Sequence, residues 1–482
     1  MKLTLDTLND DTLICIFAAL TIPEILVLRQ VSRRLFLLSA QHAVWRDACK
    51  SHILRDNIPF PRDPLESLCA KDLERSTLRA YQVGQNWRSS NTQLHKAATI
   101  TWKSRAIEDI KFLTHHGKHW IVTISRGIWS DLYLRDSDTL QVVARWTPGK
   151  ALFNGITVNT DQESDAAIAI SVQQDGINSV EILSISNQDE RPDPTIQRLA
   201  TLDTCHKPIT LSGDVVALSD HDSETLILNW KTRAQSLLKS PETWQDKPLH
   251  VIFAQGNNVV VRARSICIFT EPSMVLPGDD LPITLPQAFA SFGWVDGVSL
   301  ATRPPTQSNT TSPQPPLSVL VRTKEDDPWS LSDQFQFLAL NADASSVPQS
   351  TLHDDAPLVN DTPRTFPMTQ LTSLSSPHRG PLRCSDMVLG PYGTAVWVQP
   401  ADWSVGGLIS DDVHLQPVPV PTSHETLVAA IFPGLLSGGS AEARVKVSVA
   451  NSGSAWSCLD YSEERGLIAL GSSDGSITTF RF

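Results

Sequence analysis

The chain has 482 residues and a formal net charge of −12, with 41% hydrophobic residues, 32 Pro, 23 Gly and 13 Trp. Residues 1–98 hold 13 Lys/Arg against 10 Asp/Glu, and the remainder 27 against 42, so an acidic main domain argues against a phosphate-backbone binder. The length allows one small domain and one large one.

The seven cysteines are scattered, with no CxxC pair, which reads as reduced thiols in an intracellular, cytoplasmic or nuclear, setting. MKLTLDTLNDD carries three acidic residues before its first apolar run, unlike a secretory signal. No uninterrupted apolar run approaches the roughly 20 residues that cross a bilayer. No membrane partner is expected, and the Asn-x-Thr triplets at Asn309 and Asn360 read as chance matches.

In chain order, the first elements are helical. DDTLICIFAAL (10–20) places Leu13, Ile16, Phe17 and Leu20 at helical spacing, with Asn9 or Asp10 as N-cap and Asp10 and Asp11 favouring the helix dipole. Pro23 suits the first turn of a second helix over Glu24–Arg29. Ser32 caps a third over Ser32–Leu38, and Trp45 falls in a further helical stretch. Three short helices cannot bury all of Leu8, Leu13, Ile14, Ile16, Phe17, Leu20, Leu26, Leu28 and Val31 alone. The surplus must meet a partner, stay exposed or pack on the downstream domain.

LNDDTLICIFAALTIPEILVLRQVSRRLFLLSAQHAVWRDAC resembles an F-box. Leu8, Asp11, Leu13, Ile14, Ile16, Phe17, Leu20, Leu26, Leu28, Val31, Ser32, Arg33, Arg34, Leu37 and Trp45 match the family pattern in order and spacing. Asn9 stands in place of the usual Pro, and Leu35 in place of the usual aromatic. The resemblance implies that the segment docks on the adaptor protein of an SCF-type ubiquitin ligase, and through it on the cullin. The adaptor-binding residues it implies are Leu8, Leu13, Ile14, Ile16, Phe17, Leu20, Leu26, Leu28, Val31 and Trp45.

Residues 63–94 continue with a helical period through Leu65, Leu68, Leu73, Leu78 and Tyr81, an amphipathic linker. This stretch, ending in Asn86–Ser89, is similar to the segment between F-box and propeller in a group of fungal F-box proteins. PYGTAVWV (391–398) and LVAAIFPGLL (427–436) are further matches to that group.

From residue 99 the period is two. IEDIKFL, HWIVTIS, SDLYLRD and LQVVARW form one four-strand meander, and the rhythm recurs about every 40–50 residues, as in a propeller. The C-terminal SAWSCLDYSEERGLIALGSSDGSITTFRF resembles a WD-type repeat, with Asp474-Gly475 at the hairpin turn and Phe480-Arg481 where Trp-Asp would stand. That unit offers only three strands. Thr99–Trp102 is therefore expected to pair antiparallel with Ser476–Phe482 and close the ring. Pro-rich 303–316 and Ser/Pro-rich 341–383 lack strand rhythm and are expected to be disordered loops. Ser312-Pro313 and Ser376-Pro377 in them are weak phosphorylation candidates.

The fold expected is α + all-β: an F-box over 1–50, a helical linker over 51–97 and a seven-bladed β-propeller over 98–482. P-loop, Gly-x-Ser-x-Gly, His-Glu-x-x-His and dinucleotide fingerprints are not present. His115 and His116 are adjacent and poorly placed for one metal site. No catalytic, metal or cofactor-binding residues are assigned. The function expected is that of a non-catalytic substrate receptor of a ubiquitin ligase, binding an unidentified protein and no nucleic acid. The alternatives are an F-box/propeller scaffold outside ubiquitination and an axial-site propeller enzyme.

Overall fold

The computed structural model describes residues 8–61, 64–89, 94–102, 105–186, 194–219, 224–240, 248–254, 256–291, 295–304, 317–324, 333–340, 364–365, 368–376, 384–400, 424–437, 440–451 and 456–482. Its N-terminal helices begin where their caps stand. Helix α1 spans Asp10–Ala18, and the Asn9 side chain accepts from the N–H of Thr12 at 2.9 Å. Helix α2 spans Ile22–Leu28 with Pro23 in its first turn, and the Glu24 carboxylate accepts from the Thr21 N–H at 2.8 Å. Helix α3 spans Arg33–Ser39, capped by Ser32, whose hydroxyl accepts from the Leu35 N–H at 3.2 Å. Helix α4, His42–Cys49, runs into a π-turn over Lys50–Leu54. The linker's one long helix is α5, Ala70–Arg88.

The rest is a ring of seven sheets. Blade 1 contains Ala106–His115, Lys118–Arg126, Ser130–Asp136 and Val142–Trp146. Blade 2 contains Ala151–Val158, Ile168–Gln174, Ile177–Ser186 and Thr195–Asp203. Blade 3 contains Lys207–Ser212, Val215–Ser219, Glu224–Asn229 and Gln235–Lys239. Blade 4 contains Pro248–Ala254, Asn257–Arg262, Ser265–Thr270 and Ala288–Ser291. Blade 5 contains Val295–Thr302, Leu317–Lys324, Asp333–Leu340 and Thr369–Ser376. Blade 6 contains Met387–Leu389, Thr394–Gln399, Glu425–Ile431 and Arg444–Asn451.

Blade 7 contains Trp456–Ser462, Leu467–Ser472 and Ser476–Arg481, and its outer strand is His95–Thr101. The pairing is antiparallel, with Thr99 opposite Thr478 and Thr101 opposite Ser476. The Trp102 N–H donates to the Gly475 carbonyl at 3.0 Å. The closing strand is thus longer than the four residues expected and begins at His95, inside the segment read as linker. An unfinished blade would expose a row of unpaired backbone groups, and this strand covers it.

Two strands fall where no rhythm was read. Thr369–Ser376 is the fourth strand of blade 5, not part of a loop, because its Thr and Ser residues suit a pleated outer edge and Leu374 packs on the core shared with blade 6, while Leu371 falls at a register shift and faces solvent. Arg364–Thr365 runs parallel to the outer strand of blade 4, as Ile283–Thr284 does to that of blade 3. Residues 305–316, 341–363 and Pro377 lie outside the described residues.

Apolar cores lie between neighbouring blades, as with Val122, Leu134, Phe153 and Ile170 between blades 1 and 2. The largest core is not confined to the ring. It runs from Leu13, Phe17 and Trp45 through Leu73, Ala80, Val83 and Trp87 of α5 to Val396, Trp456, Tyr461 and Phe480 of blades 6 and 7. The helical unit and the propeller are therefore held by one continuous apolar interior.

Candidate protein-docking site

The residues expected to meet the adaptor divide into three groups. Leu13, Phe17 and Trp45 are fully buried and form the interior of the helical unit. Leu8, Ile14, Ile16, Leu20, Leu26 and Leu28 are partly buried against that same core. Val31 is 65% exposed. The expectation that Leu13 and Phe17 belong to a partly exposed patch is thus corrected, because both are buried where α3 and α4 pack on α1.

Val27, Phe36 and Leu37, which sequence did not single out for docking, are exposed, with 65%, 51% and 59% of their surface in solvent. Their signal was the run RRLFLLS, which is apolar on more than one helical face, and the i, i+4 spacing of Val27 and Val31. Leu35 is buried, and Phe36 beside it is exposed.

Polar contacts fix this surface. The Arg29 guanidinium donates to the Ser39 hydroxyl at 2.8 Å and to Glu74 of α5 at 2.6 Å, and lies 5.6 Å from the Phe36 ring and 5.5 Å from that of Trp45. Arg34 ties α3 to the start of α1 through Asp10 and the Leu8 carbonyl. The solvent-facing apolar residues stand on backbone braced from behind.

The joint to the ring is close. Gly466 of blade 7 has φ of 57°, and a Cβ there would overlap Val83 of α5. The turn 463–466 joins the first and second strands of its blade, so the helical unit sits on that face of the ring. Turns between second and third strands lie on the opposite face. There the blade 1 turn carries Ile128, 84% exposed, and Trp129, 44% exposed. Behind it, Asp131 is held by Arg145 at 2.7 Å and by Arg105. Burial opposes its ionisation, but these two guanidiniums outweigh burial and lower its pKa.

The axis of the ring is charged. In blades 1 and 4 the innermost strand bulges just before Asp109 and His250. Lys111 Nζ lies 3.6 Å from Asp109, with both side chains about 30% exposed. Burial pushes the Lys111 ammonium down, but Asp109, Asp460 and Asp386 outweigh it and raise its pKa. Burial raises Asp460 to about 6. The inner-strand acceptors lace the ring: Ser299 takes the Leu389 N–H at 2.9 Å, Asp386 that of Leu459 at 3.0 Å, and Asp460 that of Phe112 at 2.6 Å.

His115 ends the first strand of blade 1, and His116, with φ of 47°, lies in the turn that follows. Among the described residues, no group of three His, Cys, Asp or Glu could hold a metal ion, and no helix is long and apolar enough to cross a membrane.

Compared with known proteins, the chain matches no family model and no curated protein. The fold defines it as a seven-bladed β-propeller bearing a helical unit that shares its core.

Proposed function

We propose that the chain is a substrate-receptor subunit of an SCF-type ubiquitin ligase. The helical unit docks on the adaptor, and through it on the cullin, while the propeller binds a protein to be modified. The reading rests chiefly on Val27, Val31, Phe36 and Leu37, apolar residues left in solvent within an F-box-like segment whose own core is complete. Hydrogen bonds and ion pairs of Arg29 and Arg34 tie the helices beneath them together, which supports a preorganised docking surface.

In this role the chain makes and breaks no bond. It holds a substrate lysine near the charged ubiquitin-conjugating enzyme, so its contribution is effective concentration. A shared core between helical unit and ring supports that role, because a floppy joint would dilute the effect. The face bearing Ile128 and Trp129 points away from the helical unit and is the proposed substrate face. The axial carboxylates Asp386 and Asp460 accept backbone N–H groups, which supports a structural use for them over a catalytic one. All seven cysteines are free thiols, in keeping with a cytoplasmic or nuclear setting.

Affinity purification of the full chain from cells in which the ligase is stabilised tests this reading. The adaptor and cullin should co-purify with the wild type and be lost with Val31→Asp/Leu37→Asp. Adaptor without cullin would favour a scaffold outside ubiquitination. Neither protein with the wild type would overturn the proposal.

A further inference from the structure

The junction between α5 and the ring gathers more cations than it has anions to pair with them. Asp138, in the turn between the third and fourth strands of blade 1, accepts two guanidiniums on one oxygen. Arg481 Nη2 lies 2.7 Å from its Oδ1 and Arg465 Nη2 3.2 Å. Arg465 also donates to the Ser137 hydroxyl at 2.7 Å. Arg79 of α5 is partly buried, interacts electrostatically with Asp138, Arg481 and Arg75, and makes no hydrogen bond or ion pair among the described residues. His119 of blade 1 feels the charges of Arg465, Arg79 and Asp138.

Among the described residues, no second carboxylate lies within ion-pair distance of Arg79, Arg465 or Arg481. Asp136 interacts with Arg465 at longer range, and its Oδ1 is occupied by the N–H groups of Asp138 and Thr139. Asp72 pairs with Arg75 at 3.7 Å on the surface of α5. Two arginines thus share one aspartate and a third, Arg79, lies within electrostatic reach of it, in a chain whose formal net charge is −12. Among the described residues, the buried Nε atoms of Arg465 and Arg481 have no acceptor. Unpaired buried cationic donors are costly, and the guanidinium fork is matched to tetrahedral oxyanions.

We propose that this junction binds a phosphate-class oxyanion, inorganic phosphate or a phosphate monoester, between Arg79 of α5 and Arg481 of blade 7, with Arg465 behind them. The anion would bridge a helix of the N-terminal unit to the ring across a gap that now carries like charges. Binding to the folded state alone then tightens the joint by linkage. The inference does not depend on the chain being a ligase subunit.

The test is thermal melting of the full chain as inorganic phosphate replaces chloride at constant ionic strength. The wild type should show a saturable rise in Tm, unlike the unsaturating effect of an excluded salt. Arg79→Gln and Arg481→Gln should each weaken the apparent affinity about tenfold or more, the loss of one charge-assisted contact. Asp138→Asn should melt lower in chloride yet respond at lower phosphate, because the competing carboxylate is gone. A purely structural cluster would not produce that crossing. A parallel titration with O-phosphoserine separates the sources: a stronger response to it marks a monoester as the occupant, a stronger response to inorganic phosphate the free ion. Equal effects of phosphate and chloride on the wild type, or a wild-type response in Arg79→Gln, would overturn the proposal. If Arg481→Gln does not fold, Arg79→Gln carries the test, since that side chain supports no hydrogen bond.

Discussion

The rings of Trp87 and Phe482 lie 4.3 Å apart between centroids, their planes tilted by 33°. Tyr461 meets Phe482 edge-on at 6.4 Å, so one aromatic trio joins α5 to blade 7. Trp87 is fully buried and Phe482 is 5% exposed. Phe482→Ala should cost about 3 kcal/mol of unfolding free energy. Amide exchange should quicken in α5 and in Ser476–Arg481 together. Faster exchange in the strand alone would show that the helical unit does not depend on this contact.

Ring closure makes a second prediction. Gly475 has φ of 87°, and a Cβ there would overlap the carbonyl oxygens of Trp102 and Arg105. Gly475→Ala should destabilise the chain by about 2–3 kcal/mol, from strained backbone and a clash with backbone. Deleting residues 475–482 should abolish the cooperative unfolding transition, because blade 7 would lose the strand that His95–Thr101 pairs with. A truncated chain that merely frays and still melts cooperatively would argue against a closed ring.

The helical unit separates folding from docking. Leu13→Asp/Phe17→Asp places two charges in a core continuous with the ring, so the expected outcome is loss of helical signal and a lowered Tm. Val31→Asp/Leu37→Asp should leave circular dichroism and Tm within error, and weaken adaptor binding at least about tenfold. Undiminished binding by this second variant, measured by calorimetry, would remove the exposed surface from consideration.

On the opposite face, Ile128→Asp/Trp129→Ala should leave the fold and adaptor binding intact and reduce substrate capture. Ile128 stands largely in solvent and Trp129 is nearly half exposed, so neither is a core residue, and surface changes alter stability by about 0.5 kcal/mol or less. Quantitative comparison of proteins bound to wild type and variant checks it. The same set bound in the same amounts would place the substrate elsewhere.

Stability should depend on pH through Glu463. This carboxylate accepts the N–H groups of Tyr392 at 3.0 Å and Thr394 at 3.2 Å, and the Thr394 hydroxyl at 2.5 Å. Burial nevertheless raises its pKa from 4.5 to about 7. The folded state therefore holds this proton more tightly than the unfolded state. Its contribution is present below pH 4.5 and lost as pH rises through about 7. His115, His119 and His250, lowered to about 4 by burial, have the opposite effect, losing stability as pH falls below 6.5. Comparison with Glu463→Gln isolates the first contribution: relative to the variant, the wild type should lose on the order of 3 kcal/mol between pH 4.5 and 8. Parallel pH profiles would show that the carboxylate titrates normally.

Local order was written in the sequence. Asn9 and Ser32 cap the helices they precede, Asp474-Gly475 turns a hairpin, and the period of two marks the strands of the blades, because each depends on residues a few positions apart. The closing strand was also legible, since three strands without a fourth leave an open edge. Other features came only with the tertiary structure. Periodicity shows that Leu13, Phe17 and Val31 are apolar; it does not show that the first two face a core shared with blades 6 and 7 while the third faces solvent. Thr369–Ser376 is polar enough to read as loop until it pairs with blade 5. Arg481 and Asp138 meet across 343 residues, and Arg79 joins them from a helix outside the ring. Such meetings depend on how the blades close and where α5 is seated, and the sequence near each residue carries no record of either.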